Sequence, residues 1–340
     1  MHPTRRTFVT GALAAGLAGT TRHRSLAQGA VELKMASFVP PTHVIWADVL
    51  TPWAKEIQDK SGGKLTVRGF PSMQLGGKPP ELYRQVVQGI ADVVFTLPGY
   101  TSSDFPMMAL TELPGTAESA EDGTRKLWRH FDKFLARDFK EAKVLGLWNS
   151  DSAGIMSREK PVRKLEDVKG MKIRTPSAAQ AAQIAAMGAT PIPMPITQVY
   201  NSLERGVIDA AMVPASVGLD FKVIEVAKYY TYNAPLGHSP FLVAMNSKRY
   251  ESLSPDLKKI IDDTTGLQMS LKGANLYDRQ NKATLEAIRK DPSKELILLS
   301  TDEKARWLKN FASLIRTSAE QAEKAGLPGK ALAAAYGLQS

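Results

Sequence analysis

The segment VYNSLERGVIDAAMVP at residues 199–214 has the pattern of an amphipathic helix that ends at a glycine, followed by a buried strand that begins after an aspartate. The segment LYRQVVQGIADVVFTLP at residues 82–98 repeats this design. Three matched residues stand at a constant offset of 117 in the two segments: Tyr83, Gly89 and Asp92 with Tyr200, Gly206 and Asp209. A glycine in this place can adopt the left-handed conformation that ends many helices. We interpret the two segments as equivalent units of two similar lobes; the alternative is that two unrelated helix–strand units look alike.

The rest of the chain alternates between strand and helix patterns. VELKMASF at 31–38 has the period of a strand, and the apolar residues at 44–60 have helical spacing. From 255 to 290 the pattern is helical for an unusual length, interrupted only weakly by Gly266 and Gly273. Such alternation is typical of an α/β fold with largely parallel sheets.

In open α/β sheets, ligands bind in the crevice beyond the carboxyl ends of the strands. Two facing lobes would place the loops TLPGY (96–100) and MVPAS (212–216) around such a crevice. Arg174 ends a further short strand within KGMKIRTPS (169–177), so we expect it to lie in the same crevice.

Arg174 is the residue whose position most needs an explanation. A buried guanidinium without a partner is costly, and a guanidinium matches a carboxylate through two parallel hydrogen bonds. We expect Thr175 to cap, and Pro176 to begin, a helix whose free N–H groups favour an anion. The pattern predicts an anion site at Arg174; the alternative is a surface arginine in an ordinary salt bridge.

Composition narrows the possible functions. The 340 residues carry a formal net charge of +10, but four arginines lie before residue 28 and the remaining basic residues are scattered among acids. This surface does not indicate nucleic-acid binding. The chain has no cysteine, and its five histidines lack metal-ligand spacing. A phosphate loop, a dinucleotide fingerprint and a nucleophile elbow are also missing from the sequence. The sequence therefore predicts no metal, no cofactor and no catalytic residue.

The N-terminus predicts export. TRRTFV at 4–9 is a twin-arginine pattern, a weakly apolar run follows it, and the small residues Ser25 and Ala27 suit a signal peptidase that cleaves after Ala27. We therefore expect residues 1–27 to be a twin-arginine signal peptide and the mature protein to be soluble in the bacterial periplasm. The alternative is a chance arginine pair.

A resemblance to a known family adds to this interpretation. The stretch from DVKGMKIRTPS to DAAMVP, residues 167–214, is similar to the signature region of the solute-binding proteins of tripartite ATP-independent periplasmic (TRAP) transporters, the DctP-like family. The likeness continues through SMQLGG (72–77), QGIADVVF (88–95) and FLVAMN (241–246). In that family the arginine at the end of this strand holds the substrate carboxylate, so the resemblance implies that role for Arg174.

The resemblance implies a two-lobed periplasmic binding protein fold, similar to type II, with a long helix that spans both lobes. Lobe 1 would hold 31–150 and 241–275, and lobe 2 would hold 151–240 and 276–340. Hinge closure would trap an organic acid. The implied partners are the small and large membrane subunits of a TRAP transporter, with the binding protein itself a monomer that binds no nucleic acid.

Departures from the family pattern point to the kind of ligand. Met212 and Val213 replace polar groups of many relatives, Ile196 stands at the place of an aromatic contact, and Ser152 aligns near a second arginine of some relatives. Apolar groups cannot satisfy sugar hydroxyls, so we expect a monocarboxylate with an apolar or aromatic body. Flat walls could come from Trp46, Tyr100 or Trp148, although these residues suit a core equally well. The candidate ligand-binding residues are Thr42, Gln74, Tyr100, Ser152, Arg174, Ile196, Met212, Val213 and His238.

Three alternatives stay open. The same crevice could belong to a periplasmic enzyme that acts on organic acids, although no activated nucleophile accompanies Arg174. The same binding fold could serve a sensor. The ligand could also be a sugar acid or a dicarboxylate, if polar contacts come from lobe 1.

Overall fold

The computed structural model describes residues 30–338, in which the strands form two sheets. The first sheet has the order β2–β1–β3–β10–β4 and the second the order β7–β6–β8–β5–β9–β11. The strands are β1 (Val31–Ser37), β2 (Leu65–Phe70), β3 (Val93–Thr96), β4 (Ala142–Asn149), β5 (Ala153–Ser157), β6 (Lys172–Thr175), β7 (Thr190–Pro193), β8 (Ala210–Pro214), β9 (Tyr229–Tyr232), β10 (Pro240–Asn246) and β11 (Glu295–Leu298).

The first five strands of the two sheets correspond in order and direction. The central pairs, β1 with β2 and β3, and β6 with β7 and β8, are parallel. In each sheet one strand is reversed: β10 is antiparallel to both of its neighbours, and so is β5. The expectation of largely parallel sheets therefore needs this correction. The physical reason is that β5 and β10 each follow a strand of the other sheet, so each starts from the edge at which that strand ends.

The two sequence units with an offset of 117 occupy equivalent places. Gly89 and Gly206 both end a helix with positive φ, +75° and +70°. The Asp92 carboxylate accepts a hydrogen bond from a backbone N–H of β1 at 2.8 Å, and the Asp209 carboxylate accepts one from β6 at 2.7 Å. The aspartates thus tie each unit to the neighbouring parallel strand, which confirms the prediction of equivalent units.

The helices cover the faces of the sheets. The predicted helix at 44–60 is a π-helical turn, Trp46–Leu50, that continues into α1. The helices are α1 (Thr51–Lys60), α2 (Leu82–Val87), α3 (Pro106–Thr111), α4 (Ala120–His130), α5 (Ala178–Ala186), α6 (Val199–Glu204), α7 (Ala215–Asp220), α8 (Val223–Val226), α9 (Ser247–Glu251), α10 (Pro255–Thr264), α11 (Leu267–Lys290), α12 (Thr301–Lys324) and α13 (Gly329–Ala335).

The long helical stretch is divided into α10 and α11. The break lies at Gly266, whose φ of 78° and ψ of −144° suit glycine and few other residues. Gly273 does not interrupt α11; a Cβ atom there would lie 2.7 Å from the Trp148 indole, so the glycine lets the helix pack closely on β4. Since α11 contacts α4 and β4 on one side and α7 and β11 on the other, it spans both sheets as predicted.

The chain passes between the sheets three times, at 149–153, at 232–240 and through 246–295, which contains α11. These crossings agree with the order of the predicted lobes, whose limits stay a prediction. α12 packs against both α5 and α3, so the C-terminal helices connect elements that lie beside different sheets.

Candidate ligand-binding site

A cavity lies where the carboxyl ends of strands from the two sheets meet. Phe38 follows β1, Tyr100 follows β3, Arg174 lies in β6 and Val213 lies in β8, and all four line this cavity. The crevice predicted from the strand ends is therefore present.

The Arg174 side chain is fixed by carbonyl groups of the neighbouring strand ends. Its Nε–H donates to the Met194 carbonyl at 2.9 Å, and an Nη1–H donates to the Met212 carbonyl at 3.2 Å. The Tyr100 hydroxyl lies close to the guanidinium. Because a guanidinium has five N–H groups, at least two remain for another acceptor.

Arg174 is a buried cation without an anionic partner. Its side chain is 3% exposed, and no carboxylate in residues 30–338 forms a salt bridge with it. Burial lowers the pKa of Arg174 to about 10, an effect opposed by the Tyr100 hydroxyl, so the group stays charged at neutral pH. The alternative interpretation was an ordinary salt bridge between Arg174 and a surface carboxylate. The described chain contains no such salt bridge. The site instead has one unpaired positive charge.

Tyr100 adds a second donor beside the guanidinium. Its hydroxyl oxygen accepts a hydrogen bond from the Ile196 N–H at 3.1 Å and lies close to the Arg174 guanidinium. Because a backbone N–H and a guanidinium can donate but not accept, the phenolic hydrogen is left for a different acceptor. Burial raises the pKa of Tyr100, so the phenol keeps that hydrogen.

The helix beside Arg174 begins later than expected. Ser177, not Thr175, is the N-cap: its hydroxyl accepts a hydrogen bond from the Gln180 N–H, and α5 begins at Ala178. Pro176 disfavours a helical conformation for the residue before it, so Thr175 continues β6 and pairs with Pro193. The predicted cap and first helical residue were therefore wrong by two positions.

Aromatic rings form much of the remaining wall. Phe38 stacks on Phe221 with ring centroids 6.2 Å apart and meets Tyr100 edge-on at 5.7 Å. Phe241 lies on the same wall as Ser239, at the start of β10. The arrangement offers flat apolar surfaces to a ligand body.

His43 lines the cavity as a neutral ring. Its Nδ1 accepts a hydrogen bond from the Ile45 N–H at 3.2 Å, so the hydrogen lies on Nε2, which is 3.4 Å from the Asp220 carboxylate. Burial lowers the pKa of His43 to about 3. Burial also raises the pKa of Asp220 to about 6, with Gln280 and the Val44 N–H acting against it. His43 thus adds no positive charge to the cavity.

The structure brings together some of the candidate residues. Those that line the cavity are Tyr100, Arg174, Ile196 and Val213. Met212 contributes only its carbonyl oxygen, because alternate side chains of a strand point to opposite faces and its side chain packs in the core of the second sheet.

Four candidates lie outside the cavity lining. Thr42 and Gln74 are exposed. Ser152 and His238 bond each other at 3.2 Å where the chain crosses between the sheets, and the other His238 nitrogen bonds the Ser150 carbonyl. These two residues connect the crossing segments, which occupies their polar groups.

Sequence analysis missed Phe38, His43, Phe221, Ser239 and Phe241. Of the three proposed flat walls, Tyr100 lines the cavity, whereas Trp148 stacks on Phe95 in the core and Trp46 packs over Gly69. One signal was available: if the two units are equivalent, then the end of β1 must face the end of β6, which points to Phe38.

The family model of bacterial extracellular solute-binding proteins, family 7, matches residues 35–322. The chain belongs to this family. Its members are substrate-binding receptors of transporters, which confirms the prediction of a binding protein rather than an enzyme. No helix within residues 30–338 is long and apolar enough to cross a membrane.

Solved structures of TRAP solute-binding proteins share the fold. One from a marine metagenome, described as specific for aromatic acid ligands and in complex with metahydroxyphenylacetate, is 33% identical. The alignment covers 90% of this chain and 97% of that one, with a TM-score of 0.86. Another, from Rhodoferax ferrireducens T118 in complex with copurified benzoate, is 29% identical over 90% of this chain and 96% of that one, also with a TM-score of 0.86.

A relative with a different ligand is also similar. The 2,3-diketo-L-gulonate-binding periplasmic protein YiaO of Escherichia coli K12 is 29% identical over 60% of this chain and 63% of its own length. Family membership alone therefore does not choose between aromatic acids and acids of sugar type.

Proposed function

We propose that this protein is the receptor of a TRAP transporter and captures a monocarboxylate with an apolar or aromatic body. The observation that carries the proposal is the buried Arg174 guanidinium, which has free N–H groups and no carboxylate partner in the described chain. A ligand carboxylate supplies the missing charge, and the Tyr100 hydroxyl adds a third donor. Charge-assisted, two-pronged bonds of this kind are among the strongest in proteins.

The walls favour one carboxylate and few hydroxyls. Arg174 is the cationic residue of the lining, and His43 is neutral, so a second carboxylate of a dicarboxylate has no partner there. Each sugar hydroxyl left unpaired against Phe38, Val213 or Phe221 costs about 1 to 3 kcal/mol. The aromatic acids bound by the two similar solved structures support the same choice.

The setting of the protein is part of the proposal. The family is extracellular or periplasmic, and the twin-arginine pattern of residues 1–27, which lie outside the described residues, favours export to the periplasm. There the receptor acts as a monomer that closes around its ligand and delivers it to the small and large membrane subunits.

Thermal unfolding and titration calorimetry test the ligand class. We expect benzoate or 3-hydroxyphenylacetate to stabilise the protein, by about 2.7 kcal/mol when the free ligand is at 100 times its dissociation constant. Succinate and galacturonate serve as the dicarboxylate and the sugar acid. Tight binding of galacturonate, or stabilisation by succinate alone, would contradict the apolar-pocket assignment while leaving receptor membership intact.

A further inference from the structure

Ser239 holds a fixed place on the cavity wall at the start of β10. It is 4% exposed and lines the cavity. Its N–H donates to the Ser150 hydroxyl at 3.0 Å, and the Ser150 N–H donates to the Ser239 carbonyl at 2.9 Å. This pair of hydrogen bonds sets the position of the side chain relative to the crossing segments.

The Ser239 hydroxyl has an unused hydrogen. Its oxygen accepts a hydrogen bond from Gln180 Nε2 at 2.8 Å. That amide nitrogen also lies 3.1 Å from the Glu112 carboxyl and 3.2 Å from the His238 carbonyl, which identifies it as the donor side of the amide. A serine hydroxyl can donate one hydrogen bond while it accepts others. Within residues 30–338, no group accepts the hydrogen of Ser239.

The partner of Ser239 places this donor near the carboxylate end of the cavity. Gln180 lies in the first turn of α5 and bonds its N-cap Ser177, three residues after Arg174. Phe241, two residues further along β10, belongs to the apolar wall. Arg174 lies in a strand of the second sheet, whereas Ser239 directly precedes β10 of the first sheet, so the two donors reach the cavity from different parts of the fold.

The carboxylate itself is already provided with donors. Arg174 has at least two free N–H groups and Tyr100 has its hydroxyl hydrogen. We propose that Ser239 donates a hydrogen bond to a different ligand oxygen, on the carbon next to the carboxylate, so that the site selects 2-oxo or 2-hydroxy acids over unsubstituted acids. This inference rests on the proposed function and names the ligand class more narrowly.

Calorimetric titration with phenylglyoxylate and phenylacetate tests the inference, because these acids differ at carbon 2 alone, which is a carbonyl in the first and a methylene in the second. We expect the parent protein to bind phenylglyoxylate about five- to tenfold more tightly, the size of one neutral hydrogen bond. In Ser239→Ala this preference should fall to about twofold or less, mainly through weaker binding of phenylglyoxylate.

Thr175→Val is the matched control. The Thr175 hydroxyl is buried like that of Ser239 and its hydrogen also has no acceptor within residues 30–338, but Thr175 does not line the cavity. The parental preference should survive in this variant. Thermal unfolding of both variants checks that they fold. The preference of the parent protein for phenylglyoxylate over phenylacetate is a test that needs no variant.

Each other outcome is decisive. Equal affinities of the parent for the two acids, or an unchanged preference in folded Ser239→Ala, would overturn the Ser239 assignment. Equal weakening of both acids in Ser239→Ala would also overturn it, since that result indicates a structural role or a contact with the carboxylate. If neither acid binds the parent, the proposed function fails and the Ser239 assignment fails with it.

Discussion

The two lobes have one topology but contribute different chemistry to the cavity. In the first sheet, β1 pairs with β3 so that Ala36 lies opposite Val94. In the second sheet, β6 pairs with β8 so that Arg174 lies opposite Ala211. Val94 and Ala211 are themselves related by the offset of 117 residues. The place of the guanidinium in one lobe is therefore taken by a methyl group in the other.

Two residues further along the chain the contrast between the lobes is reversed, because there the first lobe has the larger side chain. Phe38 of the first lobe corresponds to Pro176 of the second, and both line the cavity. Phe38 belongs to a stack of rings that continues through Phe95 to Trp148 in the core. One lobe thus supplies the charge that holds a carboxylate, and the other supplies rigid rings that determine the shape of the ligand body. Duplicated lobes can vary these two requirements separately.

The largest expected effect comes from removal of the charge. Arg174→Ala should fold and lose about 2 to 5 kcal/mol of binding free energy, the usual cost of breaking a desolvated charge pair. Arg174→Lys should recover only part of this loss, because an ammonium group cannot make the two-pronged contact. Titration calorimetry with benzoate measures both variants.

Arg205→Ala provides the control, since Arg205 is an exposed arginine of the same lobe. It should bind benzoate like the parent. Affinity close to the parental value in a folded Arg174→Ala protein would remove the basis for the division of labour between the lobes.

The next effect concerns Glu112, which joins the two lobes. Glu112 follows α3, near the first sheet. Its carboxyl accepts hydrogen bonds from the Ser177 hydroxyl at 2.5 Å and from Gln180 Nε2 at 3.1 Å, and both of these residues lie at the start of α5. Burial raises the pKa of Glu112 to about 7, although both hydrogen bonds act in the opposite direction. The folded protein therefore holds a proton at Glu112 up to a higher pH than the unfolded chain, in which the carboxyl has an ordinary pKa.

This raised pKa has a defined sign for stability. The contribution of Glu112 to the free energy of unfolding is fully present below the ordinary pKa of 4.5 and is lost as pH rises to about 7. Glu112→Gln should remove this loss. The free energy of unfolding of the variant minus that of the parent should grow by up to about 3 kcal/mol between these pH values and stay constant above them.

Urea unfolding at a series of pH values measures the difference. Asp151, whose pKa burial raises to about 7, titrates in both proteins and cancels in the comparison. A difference that does not change with pH would show that Glu112 has an ordinary pKa and does not act as a neutral link between the lobes.

Sequence analysis identified the charged half of the site better than the aromatic half. Arg174 was recognisable because a cation at the end of an apolar strand has few structural explanations. Phe38 and Phe241 lie in apolar runs, where an aromatic residue that lines a cavity has the same pattern as one in the core. His43 could not be assigned from the sequence, because its neutral state results from burial and because Asp220, its neighbour in the cavity, is distant in the chain.

The smallest effect separates two neighbours on β8. Val213 lines the cavity, whereas the Met212 side chain packs in the core of the second sheet. Val213→Asn adds an amide to the apolar wall, so it should change the ratio of benzoate to galacturonate affinity by about 1 kcal/mol in favour of the hydroxylated acid. Competition titration of the two acids measures this ratio.

Met212→Asn is the control on the opposite face of the strand. It should leave the affinity ratio unchanged and instead lower the free energy of unfolding by about 1 to 3 kcal/mol, because it buries an amide without a partner. A change in ligand preference caused by Met212→Asn but not by Val213→Asn would reverse the assignment of the two side chains. Met212 would then face the ligand, and its side chain, not that of Val213, would form the apolar wall at β8.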